Sequence, residues 1–157
     1  MGKGSNGRKG RKMEIPEIDL TIDLDRIPRE TPQPLDDESP SWSFSVASRD
    51  FYRIPESGED LTEIISHLRD YEGMTIGKML KTKCTDNSYL LASYNLDECR
   101  ANMLKEAMEY LDKFHEDTTE VYGFRLGNKK RLYALRQGTV FALLWWDPKH
   151  EIYKTGW

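Results

Sequence analysis

The hexapeptide Phe141-Ala-Leu-Leu-Trp-Trp146 constrains this chain more than any other stretch. Six apolar residues in a row, two of them Trp, fit a strand that has neighbours on both sides. We therefore expect a strand over 139–146 in the middle of a sheet. Successive strand residues point to opposite faces, so at least one of Trp145 and Trp146 enters the core. The other either packs under a second layer or stands free as a stacking platform. Around this strand, 121–153 reads as an antiparallel meander. Gly127-Asn128-Lys129-Lys130 turns between strands 121–126 and 131–136. Gln137-Gly138 makes a second tight turn. Asp147-Pro148-Lys149-His150 fits a type I turn with Pro in its favoured place, before a short strand over 151–153.

The residues before this meander supply helices and one further strand. Trp42, Phe44 and Val46 alternate with Ser43, Ser45 and Ala47, which predicts a strand over 42–48 with one buried face. Asp60 with Glu63 reads as a helix start, Leu61, Ile64, Ile65 and Leu68 recur at helical spacing, and Gly73 is a natural stop. A helix over 60–71 follows, and Thr75 caps a second over 75–82. Tyr89–Ser93 is a short apolar segment with the character of a strand. From Asn95 to His115 the stripe Leu96, Cys99, Met103, Leu104, Ala107, Met108, Leu111 and Phe114 predicts one long amphipathic helix. Asp97 and Glu98 lie in its first turn, where the helix dipole favours acids. The fold expected is α+β: an antiparallel sheet packed with about three helices in one globular domain, 41–157.

Two segments precede that domain. Residues 1–12 are Gly-, Lys- and Arg-rich, predicting a disordered basic tail, and no apolar core follows to make them a signal peptide. Residues 13–40 form an acidic, Pro-containing arm. Within it Ile18, Leu20, Ile22 and Leu24 alternate with acids and Thr21, the pattern of a half-buried strand over 17–25 that needs a sheet edge, its own or a protein partner's. Its recurring carboxylates read as a solvated face.

Charge is distributed unevenly along the chain. The net charge is −4, but 1–12 carries +5, 13–40 and 41–120 carry −7 each, and 121–157 carries +5. A basic sheet on an acidic body suits an anionic partner, or else the two parts neutralise each other. Cys84 and Cys99 lack paired metal-ligand spacing and read as reduced thiols in a cytoplasmic protein, with no metal or cofactor implied. No apolar run is long enough to cross a bilayer, so no membrane partner is expected. Gly73–Met79 is one spacer short of a phosphate loop and follows a helix. His115-Glu116 has no second His in helical reach, no GxSxG is present, and His67 falls on the polar side of its helix.

What remains is the basic rim of the meander. Lys129, Lys130 and Arg131 cluster at one turn, Arg125 and Arg136 flank it, and His150, Tyr153 and Lys154 follow. Arg and Lys suit phosphates, while Tyr or His can stack on a base or move a proton. Metal-independent RNA cleavage needs only a base for the 2′-hydroxyl, cations for the phosphorane charge and an acid for the leaving oxygen. Against that stand two structural readings: Lys and Arg face water on exposed hairpins, and His150 closes its turn on Asp147.

Two resemblances bear on these residues. The Arg131–Tyr153 block, with Trp-Trp-Asp-Pro-Lys-His150-Glu-Ile-Tyr153 at its centre, resembles the C-terminal block of a group of small uncharacterised bacterial proteins. Pro40–Ser45 and Leu68–Thr75 look like that group's earlier blocks. Members continue with Pro where this chain has Lys154. The resemblance implies one domain and no particular activity. Helices followed by a basic meander are also similar in layout to RelE/ParE-type toxins, many of them RNases. That likeness implies phosphate contacts from Arg131 and Arg136, with proton transfer by His150 or Tyr153. The function expected is thus toxin-like RNA binding or cleavage, with catalytic His150 and Tyr153 and RNA held by Arg125, Lys129, Lys130, Arg131 and Arg136. The alternative is a non-enzymatic interaction module working through 17–25.

Overall fold

The structure, a computed structural model, describes residues 33–85 and 88–154. After a 3-10 turn at Gln33–Asp37 come β1 (Ser41–Ser43), α1 (Gly58–Glu72), α2 (Ile76–Lys81), β2 (Lys83–Thr85), β3 (Ser88–Tyr89) and β4 (Leu91–Asn95). They are followed by α3 (Leu96–Cys99), a 3-10 turn at Arg100–Asn102, α4 (Lys105–Phe114), β5 (Glu120–Arg125), β6 (Arg131–Gln137) and β7 (Val140–Asp147). Five strands form one sheet in the order β1-β7-β6-β5-β4, and β2 and β3 form a separate ribbon. The class is α+β, as the sequence predicts. The expected strand over 17–25 and the tail over 1–12 lie outside the described residues.

Strand β7 is interior, between β1 and β6, because its side chains need cover on both faces. Its alternation is interrupted once. Trp145 lies opposite Tyr133 and Leu143 opposite Ala134, leaving Leu144 as an extra, bulged residue. Leu144 and Trp145 consequently face the same layer, while Phe141, Leu143 and Trp146 face the other. Both Trp side chains are core, fully buried for Trp145 and nearly so for Trp146, so neither is a free platform.

Each sheet face has its own helices. Ile64, Leu68 and Tyr71 of α1, with Ile76 and Met79 of α2, pack on Leu91, Phe124, Leu132, Phe141 and Trp146. Ala107, Met108 and Leu111 of α4 pack with Met103 on Val121, Tyr133, Leu144 and Trp145, and Ile152 closes that layer. Burying one such side chain stabilises the fold by about 1.5–3 kcal/mol.

Several boundaries differ from expectation. The sheet is mixed, because β1 runs parallel to β7 with Trp42 beside Phe141. The strand expected over 42–48 stops at Ser43, and the chain turns with Ala47 donating to the Phe44 carbonyl, leaving Phe44 exposed. The loop still serves β7: Ser48 N donates to Leu144 O at 3.0 Å and Trp146 N to Tyr52 O at 2.7 Å. Helix α1 starts after Ser57, ahead of Asp60. Thr75 caps α2 as expected, accepting from Lys78 N.

The long helix expected over 95–115 is broken. Asn95 caps α3 by accepting from the amides of Asp97 and Glu98, but helical bonding ends near Asn102. Leu104 N donates to Ile152 O at 2.7 Å and Lys154 N to Asn102 O at 2.9 Å. Contacts with the C-terminal segment thus replace helical bonds across Met103, and the helix restarts at Lys105. The strand expected over 151–153 is reduced to a single bridge between Met103 and Tyr153. The apolar stripe survives the break, since Leu96, Met103, Ala107, Met108 and Leu111 are all buried.

Candidate functional site

Three strands place a polar row at one end of the sheet. Arg125 of β5 is the register partner of Arg131 on β6, which is in turn the partner of Asp147 on β7. Alternation puts these side chains on the face that carries Val121, Tyr133 and Trp145. Arg131 is only 8% exposed, and its Nη1 donates to the carbonyls of Gly127, Asn128 and Lys130 at 3.2, 3.4 and 2.9 Å. Arg125 Nε donates to the same Gly127 carbonyl at 3.1 Å, and its Nη1 reaches Thr85 Oγ1 at 3.4 Å. The two guanidiniums clasp one hairpin turn, and burial together with the neighbouring Arg125 lowers the Arg131 pKa.

Asp147 is fully buried, yet it forms no ion pair with Arg131 among the described residues. Its carboxylate accepts from Glu151 N at 3.0 Å and Ile152 N at 2.8 Å, folding the tail back onto the sheet. His150 sits inside that turn at φ 58, a left-handed conformation uncommon for a non-glycine residue. The expected closure of the turn by a bond from His150 to Asp147 is absent among the described hydrogen bonds, the backbone amides taking that role. Burial lowers the His150 pKa, and Arg131 and Arg125 lower it further against the opposing Asp147. Both effects favour the neutral form of the imidazole.

The other rim residues are spread more widely. Arg136 lies five residues from Arg131 on the same strand and so points to the opposite face. There it pairs with Asp36 at 2.5 Å, donates to Gly138 O at 2.7 Å and lies over the rings of Tyr122 and Phe141. Lys130 pairs with Glu63 of α1 at 2.5 Å, and Lys129 is exposed at the hairpin tip. Tyr153 packs on Tyr94 with ring centroids 4.3 Å apart and directs its hydroxyl to Cys99 Sγ at 3.9 Å. Burial, followed by Cys99, raises its pKa.

Tyr94 is the residue that sequence reasoning missed. It lies on the Arg131 face of β4, and burial pushes its pKa up to about 12 although Arg131 acts in the opposite direction. The signal was the alternation of Ala92 and Tyr94, but the expected strand ended one residue short, at Ser93. Gly123 makes room for the ring: a Cβ there would lie 3.0 Å from Tyr94 Cε2 and 3.4 Å from Tyr133 Cε1. Beside them the Tyr133 hydroxyl is buried without a hydrogen-bond partner.

Arg125 and Arg131 are thus brought together, with His150 within their electrostatic reach and Lys129 on the adjoining turn, while Arg136, Lys130 and the Tyr153 hydroxyl are engaged elsewhere. Glu151, the nearest acid in sequence, accepts from Tyr52 at 3.2 Å. A depression lined by Gly58, Glu59, Thr62, Glu63, Ser66 and His67 lies on α1 and contains none of these residues. Among the described residues no group of three His, Cys, Asp or Glu could hold a metal ion, and no helix is long and apolar enough to cross a membrane. Comparison with protein-family models, with curated proteins and with solved structures gave no match.

Proposed function

We propose that the protein binds RNA through its phosphates at the rim formed by Arg125, Arg131 and His150, with Lys129 at its edge. The observation that carries this reading is the convergence of two guanidiniums, Arg125 and Arg131, that no carboxylate contacts among the described residues. Every other ion pair among the described residues neutralises its cation, but none includes Arg125, Arg131 or His150. Two guanidiniums in one row with the single buried carboxylate of Asp147 leave a net positive charge, which attracts an anion. Buried Arg131 supplies field, and Arg125 and Lys129 supply contacts. The free thiols of Cys84 and Cys99 favour a reducing, cytoplasmic setting.

A cleavage reading rests on His150, held at φ 58 in the Asp147 turn, where burial and the fields of Arg131 and Arg125 favour its neutral form. A neutral imidazole can take the 2′-hydroxyl proton while the cations meet the charge growing on the non-bridging phosphate oxygens. This is the toxin-like, bacterial form of the proposal. Its phenolic acid is Tyr94, which lies on the Arg131 face of β4; the Tyr153 hydroxyl is turned to Cys99.

Fluorescence anisotropy with labelled RNA tests binding. Wild type is expected to bind, Arg125→Ala to bind several-fold more weakly, and Lys105→Ala on α4 to behave as wild type. Equal loss in both variants would reduce the rim to general surface charge. For cleavage, wild type should release 2′,3′-cyclic phosphate ends in the presence of a chelator, and His150→Asn should not. Intact RNA after incubation with wild type would leave binding alone.

A further inference from the structure

We propose that the β2–β3 ribbon extends this interface, with Tyr89 as a stacking platform for an unpaired base, so that the RNA taken is single-stranded. The inference rests on the phosphate-binding reading above and names its substrate class. The ribbon is joined to the rim at Arg125, whose Nη1 donates to Thr85 Oγ1 at 3.4 Å and whose backbone N donates to Leu90 O at 2.9 Å. Residues 74–85 leading into it contain Lys78, Lys81 and Lys83 and no acid, and all three lysines are exposed.

Lys83 and Tyr89 are register partners, so their side chains share one face of the ribbon, with Lys83 Nζ 5.8 Å from the ring centroid. The Tyr89 ring is 40% exposed. Among the described residues the other exposed aromatic side chains are Phe44, beyond β1, and Phe114, at the end of α4 against Tyr110 and Lys113. Only Tyr89 belongs to the ribbon that touches Arg125. Thr85 pairs with Ser88 and so faces the other side, and all of β2 is exposed. A paired base hides its ring faces inside the duplex, whereas an unpaired base offers one to an aromatic ring while a cation beside it holds the phosphate. A tyrosine backed by a lysine, next to an arginine rim, supplies both contacts.

The experiment compares affinities for a labelled single-stranded RNA and for its duplex, by anisotropy, with wild type, Tyr89→Ala, Tyr89→Trp and Arg125→Ala. We expect Tyr89→Ala to weaken single-strand binding about tenfold and to leave duplex binding nearly unchanged. Tyr89→Trp should retain single-strand affinity, and Arg125→Ala should weaken both. If Tyr89→Ala binds the single strand as wild type does, or loses both ligands equally, while Arg125→Ala behaves as stated, the stacking inference is overturned and the phosphate rim stands. If wild type binds neither RNA, both are overturned.

Discussion

Gly123 is a glycine because the Tyr94 and Tyr133 rings occupy the space where its Cβ would be. Gly123→Ala should cost about 1–3 kcal/mol, as overpacking of a close-fitted core does, measured by urea denaturation. At His150 the expectation concerns pH. Its folded pKa is lowered below the ordinary 6.5, so the unfolded chain binds the extra proton first. The His150 contribution is therefore fully present above pH 6.5 and is lost as pH falls from there towards the folded pKa. His150→Asn, which tolerates the left-handed backbone, should flatten that slope in denaturation midpoints between pH 7 and pH 5. An unchanged slope would place the lowered pKa elsewhere. Much of this residue-level picture was legible: a hairpin turn with cations on both sides brings Arg125 and Arg131 together whatever the packing. Arg136 was legible in principle too, since an odd separation on one strand sends it to the opposite face. The position of the Tyr153 hydroxyl was not, because it depends on where the tail docks.

At the scale of elements, the tail and the helix break explain each other. The run 95–115 has an unbroken helical stripe, and nothing local in it stops the helix at Met103. The stop comes from Ile152 and Lys154, about fifty residues later in the chain, whose backbone bonds to Leu104 and Asn102 compete with helical bonds. Non-local pairing of this kind overrides periodicity and leaves no mark in a local window. The tail in turn depends on Asp147, whose buried carboxylate holds the amides of Glu151 and Ile152. Asp147→Ala should cost about 3 kcal/mol, because it removes two charge-assisted bonds and leaves buried donors without partners. In the same variant, hydrogen exchange of the Ile152 and Leu104 amides should accelerate more than that of β6. Uniform acceleration would mean that the tail is not a separable unit. The bulge at Leu144 was equally hidden: FALLWW reads as strict alternation, and only the pairing with β6 shows that two neighbours face one layer.

For the whole molecule, the apolar hexapeptide did set the architecture. A strand buried on both faces requires two covering layers, and α1 with α2 on one side and α4 on the other provide them. The charge map is organised by the same sheet. On one face Arg136 is neutralised by Asp36, and at the hairpin Lys130 by Glu63, whereas Arg125, Arg131 and His150 stay together on the other face. Block charges along the sequence showed the excess but could not assign it to faces. The account stands or falls on whether this uncompensated rim takes phosphates. Its most direct test is the salt dependence of single-stranded RNA affinity for wild type, Arg125→Ala and Lys105→Ala. Each phosphate contact contributes about −0.7 to the log–log slope. We expect a clearly negative slope for wild type, a reduction by about 0.7 for Arg125→Ala and no change for Lys105→Ala. A slope near zero for wild type, or one that Arg125→Ala leaves intact, would contradict the account.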